Sequence, residues 1–242
     1  MTRILLRSIL LAIPLGVGAQ TEDSQPKITA EESLRRASLA LGYQEGVRAA
    51  RKQMKAGDID HTTFLEGFLL GIKGREHPLS PEEIREAMVS LQTKLTAREA
   101  ATAASNLEAA RKYLAANEKK QGIIRCKSGL QYRVKVAGKG EPYGDKELLG
   151  KDILVNFRGT LPDGREFASS GEIAPAKIQL DDVIAGFREA LGLMPKGAKW
   201  TIYVPSELAY GEQRRSSEIG PNQLLIFEIE LLDIIAPSPE AE

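Results

Sequence analysis

Apolar residues along this 242-residue chain follow two rhythms. Up to about residue 120 they recur every three or four positions, the period of a helix, and beyond Gly129 they alternate, the period of a strand. The first helical stretch opens with Thr29 and Glu32 in a capping-box pattern and carries Leu34, Ala37, Leu41, Val47 and Met54 at roughly helical spacing. Asp60 is placed to cap a second helix whose stripe is Phe64, Leu65, Phe68, Leu69 and Ile72, with Gly74 as its stop. The third opens at Ser80-Pro81-Glu82-Glu83, which joins an N-cap, a proline at the first helical position and a capping-box acid. No glycine or proline follows until Gly122, so the pattern predicts one helix of about 40 residues and about 60 Å. Ile84, Met88, Leu91 and Leu95 give it a good stripe, but in TAREAATAASN (96–106) nearly every apolar position is alanine. Alanine favours the helix and buries little area, so this segment is expected to be an exposed stalk with no core beside it.

The alternating segments are LQYRVKV, ILVNFRGTL, WTIYV and LLIFEIELL. Asp163-Gly164, which tolerates the positive φ of a tight turn, makes FRGTLPDGREF a β-hairpin. Counting by twos from Phe157 puts Val155 and Ile153 on its face and turns Asn156 and Arg158 away. One short helix interrupts the strands, with Val183, Phe187, Leu191 and Met194 as its stripe and Pro195-Lys196-Gly197 as its close. A sheet with a single one-striped helix should wrap partly around it. The expected fold class is therefore α+β, with a helical domain over 28–95, a stalk over 96–122 and an antiparallel half-barrel sheet on one helix over 123–236.

Two short helices and half a long one are a meagre core for a free-standing unit. A second copy of the chain would supply the missing partner, so a homodimer through residues 28–95 is expected, with a monomeric helical hairpin as the plain alternative. Gly42 and Gly46, and Gly67 and Gly71, lie four apart in the first two helices, each costing about 1 kcal/mol against alanine. Close helix–helix approach would offset that cost; simple surface tolerance is the other reading.

Composition narrows the function. Residues 1–19 read as a secretory signal: Arg3 and Arg7, an apolar run from Ile9 to Val17, and the small residues Val17-Gly18-Ala19 before a mature start at Gln20. No later run approaches the roughly 20 apolar residues of a membrane-spanning helix, so an exported product without a membrane span is expected. Lys+Arg and Asp+Glu are equal at 33, and the basic residues are scattered among acids, which argues against nucleic acid as a partner. Cys126 is the single cysteine, so no internal disulfide or thiolate metal cluster can form, although pairing with another chain stays open.

Both histidines, His61 and His77, lie in the helical half and no cysteine follows Cys126, so the strand-rich half has no Ser-His or Cys-His nucleophile machinery. Asp181-Asp182 are expected to cap the short helix and face its dipole rather than act as an acid–base pair. No glycine-rich phosphate cradle is present, and no cofactor or metal is expected. What remains is aromatic: nine of thirteen aromatic residues follow residue 120, where core is the ordinary reading.

Taken together, FRGTLPDGREF, VIAGFREALGLMPKG, ELAYG and IGPNQLLIFEIELL resemble, in order and at suitable distances, the signatures of FKBP-type peptidyl-prolyl cis-trans isomerases. The resemblance covers residues 128–235. NLEAARKYLAANEKKQGI and SGLQYRV further resemble the exported dimeric subgroup represented by the macrophage infectivity potentiator and its periplasmic relatives. Position by position, the resemblance implies a pocket with Phe157, Phe167, Phe187, Tyr210 and Phe227 as its catalytic walls and Val183, Ile184 and Ile219 as substrate-binding residues. The Ile184 N–H and the Tyr210 hydroxyl would hold substrate carbonyls, and the loop 211–222, with Arg214 and Arg215, would overhang the pocket.

Departures from the family pattern are as informative. Phe157 stands where a tyrosine is usual, Phe187 where a floor tryptophan is usual, Ala168 where an aspartate follows the hairpin phenylalanine, and Ala176 where a further aromatic is usual. Trp200 matches a strand position and is not the floor. The resemblance thus implies a periplasmic or outer-membrane-associated isomerase that assists folding of exported proteins, acts on proline-containing and unfolded chains, and has reduced catalytic power. A dimeric holdase with little catalysis, and a purely structural dimer, are the alternatives.

Overall fold

A computed structural model describes residues 29–171 and 174–235, apart from the side chain of Asp145. The expected signal sequence lies outside the described residues. Of the described residues, 29–46 belong to one compact unit and those from Val47 onward to a second.

Helix α1 (Ala30–Arg51) starts where the capping pattern placed it, the Glu32 N–H donating to Thr29 Oγ1 at 3.1 Å, with acids in its first turn and Arg48 and Arg51 in its last. Met54 falls beyond its end, after Gln53 turns the chain with φ at 67°. Asp60 caps α2 (His61–Ile72) by accepting from the Thr63 N–H at 2.8 Å. Ser80 and Glu83 form the reciprocal capping box of α3 (Pro81–Asn117), whose 37 residues span about 55 Å. Neither α1 nor α2 has a buried residue. Among the described residues, no atom comes within 4 Å of a Cβ built on Gly67 or Gly71.

The turn before α2 is tied to α3 by a contact with no sequence signal. The Asp58 carboxylate receives Lys94 Nζ at 3.0 Å and Arg98 at 2.8 Å, while Arg98 also donates to the Gln53 carbonyl. These bonds, from Arg98, the Lys55 N–H and Lys94, hold the Asp58 carboxyl far below the usual carboxylate range.

Seven antiparallel strands follow: β1 (Ile123–Arg125), β2 (Gln131–Val136), β3 (Asp152–Thr160), β4 (Glu166–Ser169), β5 (Ala176–Ile178), β6 (Lys199–Val204) and β7 (Leu225–Ile235). They run in the order β1-β2-β6-β7-β3-β4, with β5 also on β3. A short helix α4 (Gly144–Leu148), which the pattern does not predict, precedes β3, and α5 (Ala185–Leu193) precedes β6. Ile153 and Val155 of β3, Trp200 and Ile202 of β6 and Leu225, Phe227, Ile229 and Leu231 of β7 form one buried cluster with Phe187, Leu191 and Met194. The fold is α+β, a helical N-terminal region followed by an antiparallel sheet packed on a short helix. None of the described helices is long and apolar enough to cross a membrane.

Two expectations fail for identifiable reasons. Asp181 and Asp182 do not cap α5, which is preceded by Ile184 without a side-chain cap. They sit in a separate helical turn (Leu180–Asp182), and Asp181 pairs with Arg188, whose guanidinium also donates to the Leu180 carbonyl at 2.9 and 3.1 Å. The longer-range correction concerns 96–106, which is not a free stalk. Glu99, Ala103 and Asn106 bond to the loop before β7, Tyr113 packs on Tyr203 of β6 at 6.1 Å, and buried Asn117 donates to Gln131 of β2 at 3.0 Å. Alanine removes bulk, and the contacts of this stretch are made by the side chains of Glu99 and Asn106 and by the Ala103 carbonyl.

Candidate active site

The site begins with the hairpin. Gly164 takes φ of +88°, the Asp163 carboxylate accepts from the Arg165 N–H at 3.1 Å, and the turn closes with the Leu161 N–H on the Arg165 carbonyl at 2.8 Å. Phe157 is held by Ser170, whose N–H donates to the Phe157 carbonyl at 2.9 Å and whose Oγ accepts from the Phe157 N–H at 3.0 Å. Arg158 faces the other way and pairs with Glu166 at 2.7 Å. Gly159, between them and Phe167, leaves the room its neighbours need. A Cβ there would come within 2.7 Å of the Phe167 ring and 3.0 Å of Phe227, so the two rings cross over bare backbone.

Four phenylalanines meet over the sheet. Phe227 lies 5.2 Å from Phe187 and 5.5 Å from Phe167, both edge to face at 88°, and Phe157 meets Phe187 at 6.0 Å and 85°. Edge-to-face pairing sets the positive ring edge on the negative face, so the cluster keeps a definite shape. Phe187, Phe227 and Ile219 are buried and form the base, while Phe157, Phe167, Val183, Ile184 and Tyr210 are half-buried against them. All eight residues singled out in the sequence therefore lie in one apolar cluster, five of them still reaching the surface. Ala176 is half-buried against the cluster, Ala168 is half-buried beside Phe167 on β4, and neither adds a polar group. Trp200 lies on β6, stacked on Tyr132 at 4.3 Å.

The loop 211–222 differs from expectation in one respect. Arg215 lies over the Tyr210 ring at 5.5 Å, but Arg214 turns to α3 and binds the Glu99 carboxylate with two bonds of 2.9 and 3.0 Å. Glu99 and Asn106 were missed in the sequence because no spacing marks a partner 115 residues away. A separate cavity of about 450 Å³ lies where Ala110, Leu114 and Glu118 of α3 face Gln131 and Pro205, and none of the eight residues lines it. Cys126 is half-buried, and burial, then the charge of Glu189, pushes its thiol up to about 11.

The residues thus form an aromatic floor with a tyrosine at its margin, on an antiparallel sheet closed on a short helix. Comparison with known proteins makes the class specific. The family "Domain amino terminal to FKBP-type peptidyl-prolyl isomerase" matches residues 35–134, and "FKBP-type peptidyl-prolyl cis-trans isomerase" matches residues 144–232. "Peptidyl-prolyl cis-trans isomerase Mip" of Coxiella burnetii is 34% identical over 239 residues, covering 97% of this chain and 99% of that protein. "Outer membrane protein MIP" of Legionella longbeachae is 34% identical over 200 residues, 80% of this chain and 84% of the relative. The crystal structure of FkpA from Escherichia coli superposes with a TM-score of 0.60 at 30% identity, covering 86% of this chain and 99% of that one. The chain belongs to the FKBP-type peptidyl-prolyl cis-trans isomerase family and is an enzyme of that type, with Mip and FkpA proteins among its relatives.

The chemistry asks little of the side chains. Rotation about an X-Pro bond faces a barrier of about 20 kcal/mol because it breaks amide resonance, and no proton needs to move. The twisted amide is less dipolar than the planar one, so surroundings that exclude water favour it, and each 1.36 kcal/mol of that preference is worth about tenfold in rate. Aromatic rings around the prolyl ring and a few donors at its carbonyls are sufficient.

Proposed function

We propose that this protein is an exported homodimeric isomerase that speeds the folding of proline-containing chains, with lower catalytic power than relatives bearing the usual polar groups. The observation that carries the reading is the convergence of Phe157, Phe167, Phe187 and Phe227 on one cluster with Val183, Ile184, Tyr210 and Ile219 around it. Prolyl substrate would lie over the rings, with the Ile184 N–H and Tyr210 hydroxyl on its carbonyls. Reduced power follows from what is missing: Phe157 has no hydroxyl and Ala168 no carboxylate, so substrate is held by apolar contact and oriented by few polar groups. The apolar surroundings still favour the twisted amide, but with fewer donors and acceptors to orient it the part of the rate that polar groups would supply in the transition state is lost, while binding by apolar contact remains.

Homodimerisation is supported by α1 and α2, which bury nothing while exposing Leu34, Leu41, Phe64, Phe68 and Ile72. Export rests on the charge and apolar pattern of residues 1–19. The test is isomerisation of an X-Pro tetrapeptide by the full chain from Gln20, alongside refolding of a protein limited by prolyl isomerisation. Acceleration of both is expected. Suppression of aggregation without acceleration would replace this reading with the holdase, which the missing polar groups at 157 and 168 favour as a second possibility.

A further inference from the structure

We propose that Glu99 and Asn106 of α3 are positioning residues for the isomerase site, acting through the loop 211–222; this rests on the isomerase reading above. The loop is closed at its neck by the Asn222 N–H on the Gly211 carbonyl at 2.7 Å and has no helix or strand of its own. It carries Ile219 into the apolar base and starts beside Tyr210. What holds it comes largely from α3. Glu99 takes the Arg214 guanidinium in a two-bond fork, a geometry that fixes orientation as well as distance. The same guanidinium donates to the Ser216 carbonyl at 3.3 Å, and Ser216 Oγ accepts from the Ile219 N–H at 3.1 Å. A continuous bonded path therefore runs from Glu99 through Arg214 and Ser216 to the backbone of a pocket residue.

Two further contacts fasten the loop's other limb. Asn106 Nδ2 donates to the Pro221 carbonyl at 2.8 Å, and Asn222, in the left-handed conformation with φ at 52°, donates from Nδ2 to the Ala103 carbonyl of α3 at 3.3 Å. Gly220 lies beneath both clamps: a Cβ there would come within 3.1 Å of Asn106 Nδ2 and 3.6 Å of the Arg214 guanidinium. Glu99, Ala103 and Asn106 are spaced along one face of the helix, so α3 presents a short rail to which the loop is fixed. Displacing the rail moves Ile219 and Tyr210 while leaving the four phenylalanines on strands and α5 where they are.

The test uses the full chain from Gln20, an X-Pro tetrapeptide, and amide hydrogen exchange at Arg215 and Ile219. In Glu99→Arg and in Arg214→Glu, KM should rise about three- to tenfold with kcat within about twofold, because the loop contributes contacts made before the amide twists. In Glu99→Arg the two amides should exchange at least about tenfold faster, since freeing the loop lets it open locally. Combining Glu99→Arg with Arg214→Glu should restore KM, which a merely structural role would not require. Asn106→Ser, a milder change at the other clamp, should raise KM about twofold and keeps the proposal testable if the charge variants fold poorly. Wild-type KM and exchange in the single variants, or a loss the swap does not restore, overturn the proposal alone. An unaltered protein without isomerase activity overturns the functional reading and the proposal with it.

Discussion

Phe64 and Phe187 are the same side chain in opposite circumstances. Phe64 of α2 is 54% exposed and Phe187 of α5 is 4% exposed, although both sit on amphipathic helices with comparable stripes. The apolar face of α5 is covered by β3, β6 and β7, whereas none of the described residues buries any residue of α2. A helix of α2's length is marginal in water without a packed face. The difference teaches that the same kind of apolar stripe is closed over in the sheet domain and left open in the helical region, and the open stripe is the surface on which the proposed dimer rests.

The strongest way to break this comparison is to charge the exposed stripe. Phe64→Asp with Phe68→Asp removes two side chains each worth about 1.5–3 kcal/mol when buried and adds carboxylates that resist burial, so dimer affinity should fall by more than about 10³-fold. Sedimentation should then report a monomer whose tetrapeptide turnover is retained. An unaltered protein that is monomeric at micromolar concentration would refute the dimer.

The converse change strikes the cohesive half. Phe227→Ala empties the centre of the ring cluster and should cost about 3–5 kcal/mol of stability together with most of the activity. Its solution mass should remain that of the dimer at temperatures where it is folded; loss of the dimer in step would mean the two regions are not separable in this way.

A third prediction sharpens the polarity of the site. Ala168→Asp combined with Phe157→Tyr should raise the rate about three- to thirty-fold, a change of about 1–2 kcal/mol, by restoring groups able to act in the transition state. If other substitutions already compensate, the new groups are buried without partners and only stability falls. A wild-type rate equal to that of an aspartate-bearing relative, with the double variant no faster, rules the prediction out.

Two smaller effects probe the junctions. Asp58 has a depressed pKa in the folded state, so its contribution is present above the ordinary carboxylate pKa of 3.8 and is lost as pH falls through the much lower folded value. Asp58→Asn should therefore lower Tm at pH 7, and the gap to the parent should begin to narrow below about pH 4 and close in strong acid. A gap unchanged down to pH 2 would show that the carboxylate charge is not what holds the turn to α3. Cys126, with its thiol pushed up to about 11, should be alkylated at pH 8 at least about tenfold more slowly than a free cysteine, and an equal rate would contradict that shift.

Much of this was legible from local chemistry. The caps at Thr29, Asp60 and Ser80, the turn at Asp163-Gly164 and the alternation through Phe157 each depend on residues a few positions apart, so a linear reading reaches them. The eight site residues came from motif resemblance, because an aromatic on a strand looks the same whether it fills a core or floors a pocket. Asp181-Asp182 misled because a carboxylate before a helix ordinarily caps it, and here Arg188, one turn into α5, takes Asp181 instead.

Sequence alone determined the starts of α1, α2 and α3, the longer strands β2, β3, β6 and β7 with the hairpin turn, and the apolar face of each, since these follow from capping, backbone hydrogen bonding and the burial of apolar surface within short windows; β1, α4 and β5, of three to five residues, are too short to show a period. Only the tertiary structure decided that α3 is not a free stalk. Glu99 and Arg214, Asn106 and Pro221, and Asn117 and Gln131 are polar pairs brought together by the chain's path, and a polar pair has no periodicity to announce it.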